Sequence, residues 1–286
     1  MAKEATGILT IVCPDRPGLV AAVSGFIAGH NGNILDAQQF ADRLERTFYM
    51  RVEFDPGEMD LTRRDISGAF GEVAKQFSMT WRLRFSDEVP VMGIMVSQQE
   101  HCLMDLLSRY RMGELPVRIP IVLGNHPDLE PAAAAFGVPF LTIPITPQNR
   151  ERAEAQQLSA LGEAGCDFVV LARYMQILSP FFLDAYSGAV INIHHGFLPA
   201  FAGARPYHQA HARGVKLIGA TSHYATEVLD DGPIIDQDVI RVTHRDTPAD
   251  LTRKGRDIER TVLARAVRAH AEDRVVVHGR RTVVFD

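Results

Sequence analysis

Between Val91 and Val242 the chain repeats one alternation, a short apolar run followed by a longer amphipathic segment. The runs Val91–Val96, Ile119–Gly124, Phe140–Ile143, Phe168–Leu171 and Ala189–Ile193 are almost unbroken aliphatic sequence. They are too short for helices and too apolar for strands with one wet face, so they read as strands covered on both sides. Helical spacing recurs between them, near His101–Met112, Pro131–Phe136, Asn149–Ala164 and Ser179–Tyr186. This alternation restricts the fold to an α/β, doubly wound, mostly parallel sheet. Helix Pro206–Gly214, strands Leu217–Tyr224 and Ile234–Val242, a long helix Thr247–His270 and a terminal hairpin Val275–Phe285 complete it.

Residues 7 to 85 follow another order. Gly7–Cys13 reads as a strand, and Asp15-Arg16-Pro17-Gly18 as a turn opening a helix with apolar residues at Leu19, Val23, Phe26 and Ile27. Two strands, Asn33–Phe40 and Thr47–Phe54, flank a charged hairpin; a helix, Leu61–Phe77, and a strand, Met79–Phe85, follow. The order βαββαβ is that of a ferredoxin-like unit. The polar junction Ser86–Pro90 separates it from the rest, which sets the expected domains at 1–85, a linker at 86–90, and 91–286.

A chain of 286 residues can bury two cores. Its net charge of -5 gives no basic footprint for nucleic acid. No apolar stretch approaches the roughly 18 residues of a membrane span, and the N-terminus lacks an apolar signal core. A soluble cytoplasmic protein is the expectation. The three cysteines are far apart, and Cys13 and Cys166 read as small buried hydrophobes. Among the eleven histidines, His194-His195 and the pair His208, His211 have no carboxylate at ligand spacing, so no metal is expected.

Chemistry concentrates from Ala189 to Pro233. Asn192 and His194 alternate onto one side at the carboxyl end of a strand, where open α/β sheets place ligands. A Gly/Pro-rich loop follows, and Leu229-Asp230-Asp231-Gly232-Pro233 puts two carboxylates on a turn. An amide donor, an imidazole and a carboxylate suit the attack of water on an acyl carbon. The same residues could equally be polar groups that finish strand ends, and His223, inside an apolar strand, reads as a hydrogen-bonded core residue.

The ordered motifs Asn192-Ile193-His194, Leu198-Pro199, Gly219–His223 and Leu229–Ile235 resemble those of the folate-dependent formyltransferase family. The resemblance implies that Asn192, His194 and Asp230 are the catalytic triad. Leu171–Pro180 is similar to the loop that lines that family's folate pocket, which implies Tyr174, Met175, Gln176, Ile177 and Leu178 as substrate-binding, with His195, Leu198 and His223 beside them. Glycinamide ribonucleotide formyltransferases cradle an acceptor phosphate in a glycine-rich loop after the first strand of this domain. Here Val96–Leu103 has no glycine, and Glu100 would repel a dianion, so water is the expected nucleophile.

His194-His195, Phe197–Phe201, Gly203–Ala210 and Gly255–Glu259 look like the formyltetrahydrofolate deformylase family, with Gly196 departing where that family has a serine. Asp15–Gly18 and Asn31–Ile34 resemble the ACT domain, implying an amino-acid effector at Asp15, Arg16, Gly18, Asn33 and Ile34 and edge-to-edge pairing in a homo-oligomer. A pairing unit without a ligand fits the same motif. The implied reaction is hydrolysis of 10-formyltetrahydrofolate to tetrahydrofolate and formate, supplying formate for purine synthesis, with no cofactor. Two other readings stay open, a formyltransferase acting on a non-phosphorylated amine and a non-catalytic sensor.

Overall fold

A computed structural model of the chain describes residues 5–200 and 206–286. Met1–Glu4 and the motif residues Phe201, Gly203, Ala204 and Arg205 lie outside the described residues. The chain divides into two compact units that first part between Val89 and Pro90.

In the first unit β1 (Gly7–Pro14), α1 (Leu19–Gly29), β2 (Asn33–Asp42), β3 (Thr47–Asp55), α2 (Arg63–Phe77) and β4 (Thr80–Phe85) follow the expected βαββαβ order. The strands form an antiparallel sheet in the order β2-β3-β1-β4. Alternation sends Leu9, Ile11 and Cys13 of β1 and Phe48, Met50 and Phe54 of β3 to one face. Leu19, Val23 and Ile27 of α1 and Ile66, Phe70 and Ala74 of α2 pack on that face, in one core.

The other face carries Val12 and Tyr49, against which Val276 and Phe285 from the C-terminus are packed. Arg51 donates to the Glu272 and Asp273 carbonyls, both at 3.3 Å. Glu272–Val276 and Val283–Asp286 thus belong to the first unit, although the expected catalytic domain ran unbroken from 91 to 286. The reason is that the second sheet face is apolar at Val12 and Tyr49 and needs a cover.

The expected effector residues are not brought together within the unit. Pro14 pairs with Thr47 at one end of β1, whereas Ile34 pairs with Phe54 and Gly7 with Phe54 at the other. Asp15–Gly18 and Asn33-Ile34 are therefore separated by the length of α1, about 16 Å at 1.5 Å per residue. Gly18 caps α1 at φ 93, and no side chain caps the helix's first amides. Arg16 is engaged with the end of α2, donating to the Gln76 carbonyl with its guanidinium over the Phe77 ring.

The second unit comprises Pro90–Ala271 with Val277–Thr282. Its chain order is β5 (Val91–Val96), α3 (His101–Arg111), β6 (Arg118–Gly124), α4 (Glu130–Ala134), β7 (Phe140–Thr142), α5 (Arg150–Glu163), β8 (Phe168–Leu171), α6 (Pro180–Ala185) and β9 (Ala189–His194). Then come α7 (Pro206–Ala212), β10 (Leu217–Tyr224), β11 (Ile234–Arg241) and α8 (Pro248–Ala271), and β12 (Val275–His278) and β13 (Arg281–Val284) close the chain.

The seven strands are ordered β11-β10-β9-β8-β5-β6-β7. β9, β8, β5, β6 and β7 are parallel, and every residue of β5 and β8 is buried, as expected of strands covered on both faces. The order reverses at β5: the chain leaves it for β6 and β7, then returns to β8 on its other side. Ligands of such sheets bind at the carboxyl ends beside that reversal. β10 and β11 depart from the parallel pattern, since β10 runs antiparallel to β9 and β11 antiparallel to β10.

Candidate active site

The antiparallel register of β9 and β10 sets Asn192 opposite His223 and His194 opposite Thr221, all four on one face. Because β10 runs down while β9 runs up, the segment after Tyr224 must fold back to bring Asp230 to the end of β9. The backbone N–H of Ala225 donates to Val190 O at 2.7 Å, and that of Tyr224 donates to Pro233 O at 2.9 Å, closing this loop at its base. Gly232 is required there, because a Cβ would stand 1.8 Å from the Tyr224 carbonyl oxygen. Asp230 itself has φ 57, a left-handed conformation that Asp tolerates better than most residues.

The result is one constellation. His194 Nδ1 lies 3.2 Å from Asp230 Oδ1, with the two side chains 4% and 9% exposed. Asn192 Nδ2 lies 3.1 Å from His223 Nε2. His223 Nδ1 faces the Tyr224 carbonyl at 2.9 Å and so carries the proton. Burial pushes the His223 pKa down, so the ring is neutral and Nε2 accepts from Asn192. One amide hydrogen of Asn192 is thereby fixed, and the second is left for a ligand. Among the described residues His194 Nε2 is buried with no hydrogen-bond partner.

A cavity of about 550 Å³ opens over these groups. Tyr174, Met175, Gln176, Ile177 and Leu178 line it, as do His195 and His223. The loop after β8 is held from behind: Met175 N–H donates to Ser97 Oγ at 2.9 Å, Arg150 donates to the Ile177 carbonyl at 3.0 Å, and Gln157 to Tyr174 Oη at 2.8 Å. Glu154, 1% exposed, takes the Ser179 N–H at 3.0 Å. Met175 and Ile177 remain half-exposed and present apolar surface to the cavity.

Leu198 does not line the described cavity. It is buried, its N–H donates to Thr221 Oγ1 at 3.0 Å and its carbonyl accepts from Gln237 at 3.0 Å. Its backbone pins the loop after β9. The Gly196 carbonyl accepts from the Thr221 hydroxyl at 2.9 Å in the same knot.

Sequence reasoning missed a buried charge cluster in the opposite wall. Glu259 of α8 is 1% exposed and bonds His101 Nε2 at 2.7 Å and Tyr207 Oη at 2.5 Å, with Arg173 Nε 3.4 Å away. Burial alone works against its charge. The donors His101 and Tyr207 and the Arg173 guanidinium outweigh that and hold the carboxyl at about 2. Gly255, one turn earlier, makes room: a Cβ there would stand 2.0 Å from Tyr207 Oη. His195 stacks obliquely on His194 at 5.3 Å and meets Tyr207 edge-on at 6.0 Å. Burial, then Arg173, pushes His195 down to about 4, so it stays neutral.

The ligand-type atoms of His101, Cys102 and Glu259 lie within 4.8 Å of one another. Burial and the Glu259 charge push the Cys102 thiol well up, so it stays protonated, and a cation would compete with Arg173 for Glu259. That donor set suits an internal ion cluster better than a metal.

Comparison with known proteins follows these boundaries. A family profile described as "Formyl transferase" matches residues 92–267, and one described as "ACT domain" matches residues 7–72. A formyltetrahydrofolate deformylase of Synechocystis sp. is 50% identical over 283 residues, covering 99% of both chains. The crystal structure of a formyltetrahydrofolate deformylase from Pseudomonas syringae is similar with a TM-score of 0.96 and 48% identity, over 100% of this chain and 96% of that one. A glycinamide ribonucleotide transformylase 1 from Symbiobacterium toebii aligns with a TM-score of 0.66 and 34% identity, over 72% of this chain and 98% of that one.

Proposed function

The chain belongs to the formyltetrahydrofolate deformylase family, and from that premise we propose that Asn192, His194 and Asp230 carry out the hydrolysis of 10-formyltetrahydrofolate. The observation that carries this assignment is the convergence of a spare amide hydrogen, a buried unpartnered imidazole nitrogen and a carboxylate 3.2 Å from that imidazole, at the floor of one cavity.

In this mechanism the pterin and benzoyl rings occupy the apolar end formed by Met175, Ile177, Leu178 and Leu229. Water oxygen attacks the formyl carbon, and Asp230 accepts its proton. The developing oxyanion takes the second Asn192 hydrogen and a hydrogen from His194 Nε2, where charge appears only as the tetrahedral intermediate forms. Asp230 beside Nδ1 stabilises the protonated imidazole this requires. Collapse breaks the bond from carbon to the folate nitrogen, which takes a proton from His194 or from a water between them, and formate leaves.

The ACT domain is of a kind that binds small effectors, and an amino acid bound at the uncapped start of α1 is our reading of its role. Because Asn33 and Ile34 lie at the far end of β1, a ligand touching both sets needs a second copy of the unit, which fits pairing in a homo-oligomer. Formate supply to purine synthesis is the cellular role proposed. Among the described residues no helix is long and apolar enough to cross a membrane.

The test is direct. Enzyme and 10-formyltetrahydrofolate alone, in ¹⁸O-labelled water, give equal amounts of tetrahydrofolate and formate, with one labelled oxygen in each formate. Turnover that requires an added amine points instead to transfer. Titration of the intact enzyme with methionine and glycine tests the effector role.

A further inference from the structure

The fold is shared with a glycinamide ribonucleotide transformylase, so the sheet and its helices do not by themselves decide which nucleophile receives the formyl group. Something in the cavity must. The cavity has two unlike sides. On the α5–α6 side stand Leu178 and Leu183 with Tyr174, which is tied to Gln157 of α5. On the α3–α8 side stand His101, Arg173, Tyr207 and Glu259, joined by the bonds described above. With a folate in the apolar side, the second side is what an attacking nucleophile meets.

That second side is built as a rigid wall. Glu259 holds His101 on α3 and Tyr207 on α7 at once, and Gly255 lets the Tyr207 ring press onto the α8 backbone. Tyr207 in turn braces His195 under His194. Among the described residues two buried polar atoms of this region make no hydrogen bond, His194 Nε2 and Arg173 Nε, the second of which is held only by its ion pair with Glu259 at 3.4 Å. Buried polar groups are paired in folded proteins, and water serves where protein does not. The residues His194 and Arg173 both line the cavity, which has room for a small molecule with lone pairs.

Resting on the hydrolytic reading of the same cavity, we propose that His101, Arg173, Tyr207 and Glu259 are specificity-determining residues that hold the attacking water and close the site to amines. None of the four is assigned a bond to the formyl group; they act on which molecule reaches it. His101, with Gln99 and Arg256, forms the boundary with a second, more polar cavity lined by Gln98, Glu100 and Arg260, so shortening His101 opens the wall to larger nucleophiles.

The experiment is a nucleophile-partition assay on the full chain with hydroxylamine as the probe. In the side reaction the hydroxylamine nitrogen bonds to the formyl carbon, the bond from carbon to the folate nitrogen breaks, that nitrogen takes the proton lost by hydroxylamine, and formohydroxamate forms. The ratio of formohydroxamate to formate is measured above the enzyme-free rate. For His101→Ala the ratio rises about tenfold over wild type, and His101→Gln, which still offers Glu259 an N–H, returns it to near the wild-type value. Should His101→Ala fail to fold, Tyr207→Phe removes one donor from Glu259 without removing the ring, and its ratio rises at least about threefold. A mere loss of packing lowers both products together and leaves the ratio alone. An unchanged ratio in a variant that still turns over contradicts the proposal while leaving hydrolysis intact. A wild-type enzyme that releases no formate contradicts the hydrolytic reading itself.

Discussion

Asn192 Nδ2 and His223 Nε2 face each other at 3.1 Å across the antiparallel pair β9–β10, and the proton on His223 Nδ1 fixes the sense of that contact. His223 therefore orients the amide of Asn192. Replacing Asn192 by Ala removes the donor proposed for the oxyanion and is expected to lower kcat by about 10²–10³-fold. His223→Leu leaves the amide free to rotate and is expected to cost less, about tenfold in kcat with KM little changed. Steady-state kinetics of both variants check the order.

Gln157→Leu releases Tyr174 Oη, and the loop after β8, proposed to bind the folate, loses one of its anchors while Asn192, His194 and Asp230 keep theirs. The expected signature is a KM for the folate raised about fivefold, with kcat within a factor of two, on the scale of one lost hydrogen bond of about 1 kcal/mol. A fall in kcat at unchanged KM counts against the assignment of this loop to substrate binding.

Gly255→Ala places a methyl where Tyr207 Oη stands. Overpacking of that kind is expected to destabilise the chain by about 1–3 kcal/mol and to break the Tyr207–Glu259 bond. Urea unfolding of the purified variant measures it.

Acid should weaken the fold in two steps. His195 is held neutral with a pKa of about 4 against an ordinary 6.5, so between those values the unfolded chain binds more protons and stability rises with pH. Glu259, held at about 2, adds a contribution present above the usual carboxylate range and lost as pH falls toward 2. Stability measured from pH 7 down to 4 should fall in wild type and fall less steeply in His195→Asn.

Much of this was legible in the sequence because the physics is local. The unbroken aliphatic runs of β5 and β8 announce strands covered on both faces, and the Asn192–His194 alternation places two polar groups on one side of a strand end. The antiparallel turn of β10 was not legible, since pairing direction is set by a tertiary partner and an apolar run reads alike either way. Leu198 was expected at the substrate from the family resemblance, and its place in a knot with Thr221 and Gln237, which bond its N–H and carbonyl, appears only in the fold. Glu259 left a trace that could have been read: it falls on the apolar stripe of α8 with Gly255, Val262 and Ala266, and a carboxylate there must find partners inside. Glu154 does the same on α5. Asp15–Gly18 is a turn and Asn33-Ile34 the start of β2, and their separation appears only once α1 is laid between them.

The most direct measurement is turnover of 10-formyltetrahydrofolate by Asp230→Asn, with no amine present. The substitution keeps the shape of the side chain 3.2 Å from His194 Nδ1 and removes its charge. The expected result is a loss of roughly 10³-fold or more in kcat, with substrate binding retained by fluorescence titration. Near-normal turnover by this variant would contradict the role given to Asp230 and, with it, the hydrolytic site built from Asn192, His194 and Asp230.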